Sequence, residues 1–148
     1  MIRTVHSHYV LDASVAAKWF TRHDETDRDK ALALRDLHRR RRCRLILPEF
    51  GLLEVVNAVR FSPRADEADT AAALDLIQDL QLQIEPLDWV LLHKSAAIAW
   101  AYRIALYDAA YVALAERLGH PLLTADEELV RRMKGHSIVL RLRALAFE

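Results

Sequence analysis

Residues 106–129 read LYDAAYVALAERLGHPLLTADEEL, and the order of residue types in them decides the fold class. Asp108 opens an alanine-rich run to Leu118 with the composition of a helix, and Gly119 stops it. Pro121–Thr124 is short and apolar and reads as a strand; Asp126–Lys134 reads as the next helix, stopped by Gly135. A strand without polar alternation, held between two helices, is the signature of a parallel sheet buried on both faces.

The same alternation extends in both directions. Towards the N-terminus, His8–Asp12 predicts a first strand, Ser14–Phe20 a short helix, Thr21–Arg28 a loop and Asp29–Arg42 a helix. Arg44–Leu47 predicts a second strand stopped by Pro48, and Phe50–Phe61 a helix. Ser62-Pro63 has the form of an N-cap before a first-turn proline, opening a helix to Leu80. Gln83–Glu85 predicts a third strand and Trp89–Ile104 a helix. Beyond the opening stretch, Ser137–Arg141 predicts a fifth strand, and the tail has no assignment. Strand–helix alternation throughout means a parallel sheet covered by helices on both sides, with ligands bound beyond the carboxyl ends of its strands.

The chain has 148 residues, which suits a single domain over 1–148. Hydrophobic residues make up 53%, which argues against disorder. Cys43 is the only cysteine, so an internal disulfide or a cysteine-based zinc site is excluded, and a reducing, cytoplasmic setting is expected. No apolar run suggests a signal peptide or a membrane span. With 21 basic and 21 acidic residues the formal charge is zero, so any attraction for nucleic acid must come from a local patch.

Acids stand at the places where such a sheet puts chemistry. Asp12 ends the first strand, Asp126 follows the fourth, Glu54 sits in the helix after the second, and Asp108 opens a later helix. Each has an ordinary alternative. Asp12 and Asp108 can be helix caps, and Thr124-Ala125-Asp126-Glu127 has the form of a capping box with Thr124 as N-cap. Glu54 is harder to read as solvated surface. It lies opposite the stripe Leu52, Val55, Val56 and Val59, beside Phe50, Asn57, Ala58 and Phe61. Carboxylates gathered at one point repel, and a hard cation such as Mg2+ or Mn2+ relieves that repulsion through oxygen ligands.

VLDASVAAKW, LPEFGLLEVVNAV and the opening stretch, in that order, resemble the successive signatures of PIN domains, and more narrowly of VapC-type toxins from toxin–antitoxin systems. The resemblance implies an α/β/α sandwich with a central parallel sheet of about five strands. It implies Mg2+- or Mn2+-dependent endoribonuclease activity, in which a metal-activated water attacks RNA and leaves a 5′-phosphate and a 3′-hydroxyl. Carried over, the acidic site falls on Asp12, Glu54, Asp108 and Asp126, with Ser14 and Thr124 as supporting hydroxyls and Asn57 as a supporting hydrogen-bonder. It further implies a homodimer and an antitoxin partner. Trp19, Phe20, Phe50 and Phe61, flanking the acids, are candidate anchors for that partner. A PIN-like domain without a toxin role, in RNA processing or as a protein-interaction module, is the alternative.

Two other classes gather acids at strand ends. A receiver-type phosphoacceptor needs an Asp closing the third strand, where Glu85-Pro86-Leu87-Asp88 offers a badly placed one. A haloacid-dehalogenase-type phosphatase needs Asp-x-Asp, where Asp12-Ala13-Ser14 lacks the second acid. His38–Arg44 (HRRRRCR) is the strongest basic run and reads either as an exposed helix end or as a phosphate-contacting patch. His6 and His8 lack a third ligand for a metal. Trp19, Trp89 and Trp100 read as core.

Overall fold

The computed structural model describes residues 6–21 and 26–147. Residues 22–25 of the expected loop lie outside the described residues. The strands are β1 (His8–Leu11), β2 (Arg44–Pro48), β3 (Gln83–Glu85), β4 (Leu122–Thr124) and β5 (Val139–Arg141). The helices are α1 (Ala13–Ala16), which runs into a 3-10 turn at Ala17–Trp19, α2 (Arg28–Arg39), α3 (Glu49–Arg60), α4 (Glu67–Leu80), α5 (Trp89–Tyr102), α6 (Leu106–Leu118) and α7 (Glu127–Arg132). The expected tail without assignment forms a 3-10 turn at Leu142–Ala144, which buries Leu142.

The sheet is parallel throughout, in the order β3-β2-β1-β4-β5. Tyr9–Leu11, Leu45–Leu47 and Leu122–Thr124 are buried without a break, so the three inner strands are covered on both faces, as an α/β/α sandwich requires. The chain leaves β1 for β2 on one side and returns to β4 on the other. The crevice between the exits of β1 and β4 is therefore the topological switch point. The register there is Val10 beside Leu122 and Leu11 beside Leu123, which brings Asp12 and Thr124 next to each other.

Helix α6 supplies the second positioning element. Ala109 to Ala115 are all buried, so this helix is enclosed on every side and packs against α5, β1 and β4. Its alanines let neighbours approach closely.

Several local expectations change. The helix after α3 does not start at Ser62-Pro63. Ser62 instead closes the end of α3, its Oγ donating to Ala58 O at 2.9 Å, and α4 starts after Asp66. Asp66 and Asp69 form a reciprocal capping box, which satisfies two amides where a Ser-Pro start would satisfy one. Trp19 is core, its indole N–H donating to Ala31 O at 2.8 Å, whereas Trp89 and Trp100 are exposed at 78% and 87%.

A candidate metal-dependent active site

The site is built at the switch point. Asp12, at the position before α1, is buried but does not cap the helix with its side chain. Its Oδ2 accepts hydroxyls from Ser14 and Thr124, each at 2.7 Å. Thr124 is equally not the N-cap of α7. Its hydroxyl oxygen accepts the Asp126 N–H at 3.0 Å while its proton goes to Asp12. Ser14 Oγ accepts the Ala125 N–H at 3.0 Å. Two hydroxyls thus tie the loop after β1 to the loop after β4.

Asp126 takes the cap itself. Its Oδ1 accepts the amides of Glu128 at 2.9 Å and Leu129 at 3.2 Å, which fixes the carboxylate and leaves Oδ2 free to face a ligand. Asp108 is not a cap either. Helix α6 begins two residues earlier, at Leu106, so Asp108 stands inside the first turn, half-buried.

Tyr111, one turn after Asp108, was not singled out in the sequence. It is fully buried and donates its hydroxyl to Glu54 Oε1 at 2.9 Å. Burial first, then the charges of Glu54 and Asp12, push its hydroxyl well above the ordinary tyrosine range, so it stays a donor. Gly51, one turn before Glu54, makes this contact possible: a Cβ there would stand 2.8 Å from Tyr111 Oη and 2.9 Å from Leu47 Cγ. The only sequence signal was a glycine within an otherwise regular helix. Phe50 packs edge-on against Tyr111 and Tyr107, at 5.1 and 6.1 Å between ring centres. Asn57 is exposed, and its side chain adds no hydrogen bond to the cluster among the described residues.

Charge is felt across the cluster, most of all at Asp108. Asp108 is pushed up to about 6 by burial and then by Asp12, Asp126 and Glu54. Burial raises Asp12 against the two hydroxyls that pull it down, with Asp126 adding to the rise. Burial also raises Glu54, against the Tyr111 hydrogen bond and with a push from Asp12. Acids raised by burial and then by neighbouring carboxylates are a site short of positive charge.

The donor set fits a hard divalent cation. It is all oxygen, and Glu54 Oε2, Asp126 Oδ2 and both oxygens of Asp108 accept no hydrogen bond among the described residues. Among the described residues no three His, Cys, Asp or Glu side chains form a closed shell around one ion. An ion here would be held by one or two carboxylates and several waters, the habit of Mg2+.

Away from the acids, a groove of about 600 Å3 is lined by Trp19, Phe20, Val59, Ala73 and Leu76, with Arg35 at its wall. Of the expected anchors, Trp19 is core, Phe20 and Phe50 are half-buried, and Phe61 is exposed with the Arg60 guanidinium 5.5 Å above its ring.

A family model described as the PIN domain matches residues 9–135. No curated protein matches the chain. Among solved structures, PAE2754 from Pyrobaculum aerophilum is 24% identical, with 91% of this chain and 89% of that one covered and a TM-score of 0.63. A toxin–antitoxin complex from Klebsiella pneumoniae is 14% identical, with 90% and 97% covered and a TM-score of 0.67. VapC20 from Mycobacterium tuberculosis, described as a sarcin–ricin loop cleaving toxin, is 15% identical, with 83% and 93% covered and a TM-score of 0.63. At these identities the likenesses show a common fold.

Proposed function

Because the chain belongs to the PIN domain family, matched over residues 9–135, we propose that it is a divalent-metal-dependent endoribonuclease and the toxin of a toxin–antitoxin pair. The observation that carries the reading is the gathering of the acids near the crevice between β1 and β4, close enough that Asp12, Asp126 and Glu54 all add to the rise that burial gives Asp108. A domain without need of a cation has no use for acids so arranged.

Asp12, Glu54, Asp108 and Asp126 are the residues from which Mg2+ or Mn2+ would draw its one or two carboxylate ligands, with the other acids acting through its bound waters. Bound there, the ion supplies a Lewis acid that lowers the pKa of coordinated water and offsets charge on the phosphate under attack. The chain's own groups prepare the place. Ser14 and Thr124 lock the Asp12 carboxylate, the α7 amides lock Asp126, and Tyr111 aims Glu54. Asp108 is held by no hydrogen bond among the described residues and is the acid freest to adjust to a ligand.

The direct test incubates the purified chain with structured RNA, with Mn2+ and with chelator. Cleavage is expected with Mn2+ alone. The melting temperature is expected to rise with millimolar Mg2+ or Mn2+, since a ligand that binds only the folded state stabilises it. An inert chain whose melting is indifferent to both metals would overturn the reading, and a response to Zn2+ alone would reassign the chemistry.

The partner follows from the same reading. The antitoxin would lay an apolar segment in the groove of about 600 Å3 beside Phe20, between the elements after β1 and β2. A basic side chain at the end of that segment would reach the acids and compete with the metal. The exposed Trp89, Val90, Trp100, Leu106 and Tyr107 on α5 and at the start of α6 supply apolar surface for a homodimer. Co-expression with the adjoining small reading frame is expected to give a complex with suppressed RNA cleavage and a light-scattering mass containing two copies of this chain. A complex that cleaves undiminished would refute the antitoxin role, and one copy per complex would refute the dimer.

A further inference from the structure

Arg39, Arg40, Arg41, Arg42 and Arg44 put five guanidinium groups into six residues of a chain whose formal charge is zero. All five are exposed, and none forms an ion pair among the described residues. Asp36, one turn earlier on α2, does not pair with them. These five charges are therefore left uncompensated while ion pairs form elsewhere on the surface, as between Arg117 and Asp88. Arg44 begins β2 beside His8, which begins β1, so the arginines lie where the strands enter the sheet. The acids lie where the strands leave it. His8 and Asp12 are four residues apart, a separation of about 13 Å along an extended strand.

The arginines stand on a fixed base. His38 Nδ1 accepts the Leu45 N–H at 3.2 Å and its Nε2 donates to Leu80 O at 2.8 Å, so one ring joins α2 to β2 and α4. The Arg42 N–H donates to Leu37 O and the Arg41 N–H to His38 O, both at 2.9 Å, which closes α2 in a Schellman motif. Arg41 occupies the left-handed position of that motif, at φ 57°, where glycine is the favoured residue. The third cation of the run stands there in spite of the backbone.

We propose that Arg39, Arg40, Arg41, Arg42 and Arg44 form a phosphate-contacting strip that docks RNA at the sheet edge opposite the carboxylates. The proposal rests on the reading of RNA as substrate. A polyanion approaching the acidic edge is repelled by uncompensated carboxylates, so its capture needs positive charge elsewhere on the surface. Unpaired, weakly hydrated guanidinium groups in a row match successive phosphates along a backbone and carry no sequence preference. RNA long enough to span the distance between the edges touches both, and the strip therefore favours folded RNA over short fragments.

The test measures binding of a fluorescent stem–loop RNA of about 30 nucleotides to the full chain in chelator, by anisotropy across a salt series. The combined variant Arg39→Gln, Arg40→Gln, Arg42→Gln is expected to bind about tenfold or more weakly, with the log–log salt slope shallower by about 2. Arg41→Gly is the second variant. It removes one cation and relieves the left-handed residue, so its melting temperature is expected to rise while the slope becomes shallower by about 1. A loss of affinity in a more stable protein cannot come from unfolding. If both variants bind as the parent does, with an unchanged slope, the strip serves an acidic protein segment or only solvent, and the proposal falls. Since no cleavage is needed, the two readings separate. An inactive chain that binds RNA through these arginines sinks the nuclease and leaves the strip; an active chain indifferent to their loss does the reverse.

Discussion

Asp12→Asn is expected to lower metal-dependent RNA cleavage by on the order of a hundredfold or more, with Asp126→Asn close behind, while both variants stay folded. The asparagine oxygen can still accept the Ser14 and Thr124 hydroxyls that Asp12 now holds, so the loops stay joined. What is lost is the charge. The same variant reports on the acid cluster without any catalysis. Asp108 in the folded chain titrates at about 6, above its ordinary 3.8, so the folded state binds the proton more tightly than the unfolded one. Its contribution to stability is complete below pH 3.8 and is lost as the pH rises through about 6. Metal-free parent protein should therefore melt lower at pH 7.5 than at pH 5 as far as this group is concerned. Asp12→Asn removes one of the charges that raise Asp108, so its loss over that interval should be smaller, and Mn2+ should erase the difference. Cleavage by both variants above a few per cent of the parent rate would remove Asp12 and Asp126 from the site.

Gly51→Ala is expected to destabilise the protein by overpacking its interior. Alanine in a helix interior gains about 1 kcal/mol over glycine in propensity. Here the added methyl would lie 2.8 Å from Tyr111 Oη and 2.9 Å from Leu47 Cγ, both in sealed interior, and overpacking of that kind costs about 1–3 kcal/mol. The clash outweighs the propensity. It also displaces the hydroxyl that aims Glu54, so Mn2+ affinity and cleavage should fall by about ten- to a hundredfold. Tyr111→Phe removes that oxygen. In its background Gly51→Ala should cost less by about 0.5 kcal/mol or more, because the contact with Tyr111 is gone and only those with Leu47 remain. Urea unfolding of the four proteins of the cycle, with a Mn2+ titration of each, checks this. Additive stabilities with unchanged metal binding would mean that the two residues do not meet.

How much of this was legible in the sequence depended on range. The three inner strands announce themselves because each carries an unbroken apolar run, and Asp12 and Asp126 stand out because they follow such runs; β3 and β5 rest on their place in the alternation, and Glu54 and Asp108 lie within helices. The cap assignments failed where two residues could serve. Thr124 and Asp126 both suit an N-cap, and only the nearness of Asp12, over a hundred residues away in sequence, tells that the threonine hydroxyl is engaged elsewhere. Tyr111 stayed hidden among alanines because its partners, Gly51 and Glu54, belong to another helix, and no periodicity within α6 encodes them. Trp89 and Trp100 misled because hydrophobicity ranks a side chain without saying whether the fold has room to cover it.

The pairing of β1 with β4 also sets a clock. Asp12 and Ser14 are made early on the ribosome, but β4 and the second hydroxyl that holds Asp12 come later, Thr124 by 112 residues, with Asp126 following it. At about 5–20 residues per second, a nascent chain spends several seconds carrying Asp12 and Glu54 with nothing to assemble them. A ribosome that stalls or releases its product before residue 124 yields a fragment in which Asp12 keeps Ser14 but lacks the Thr124 hydroxyl, the neighbouring strand and the fourth acid. Strand order thus makes the joining of the four acids one of the last events in the synthesis of the chain.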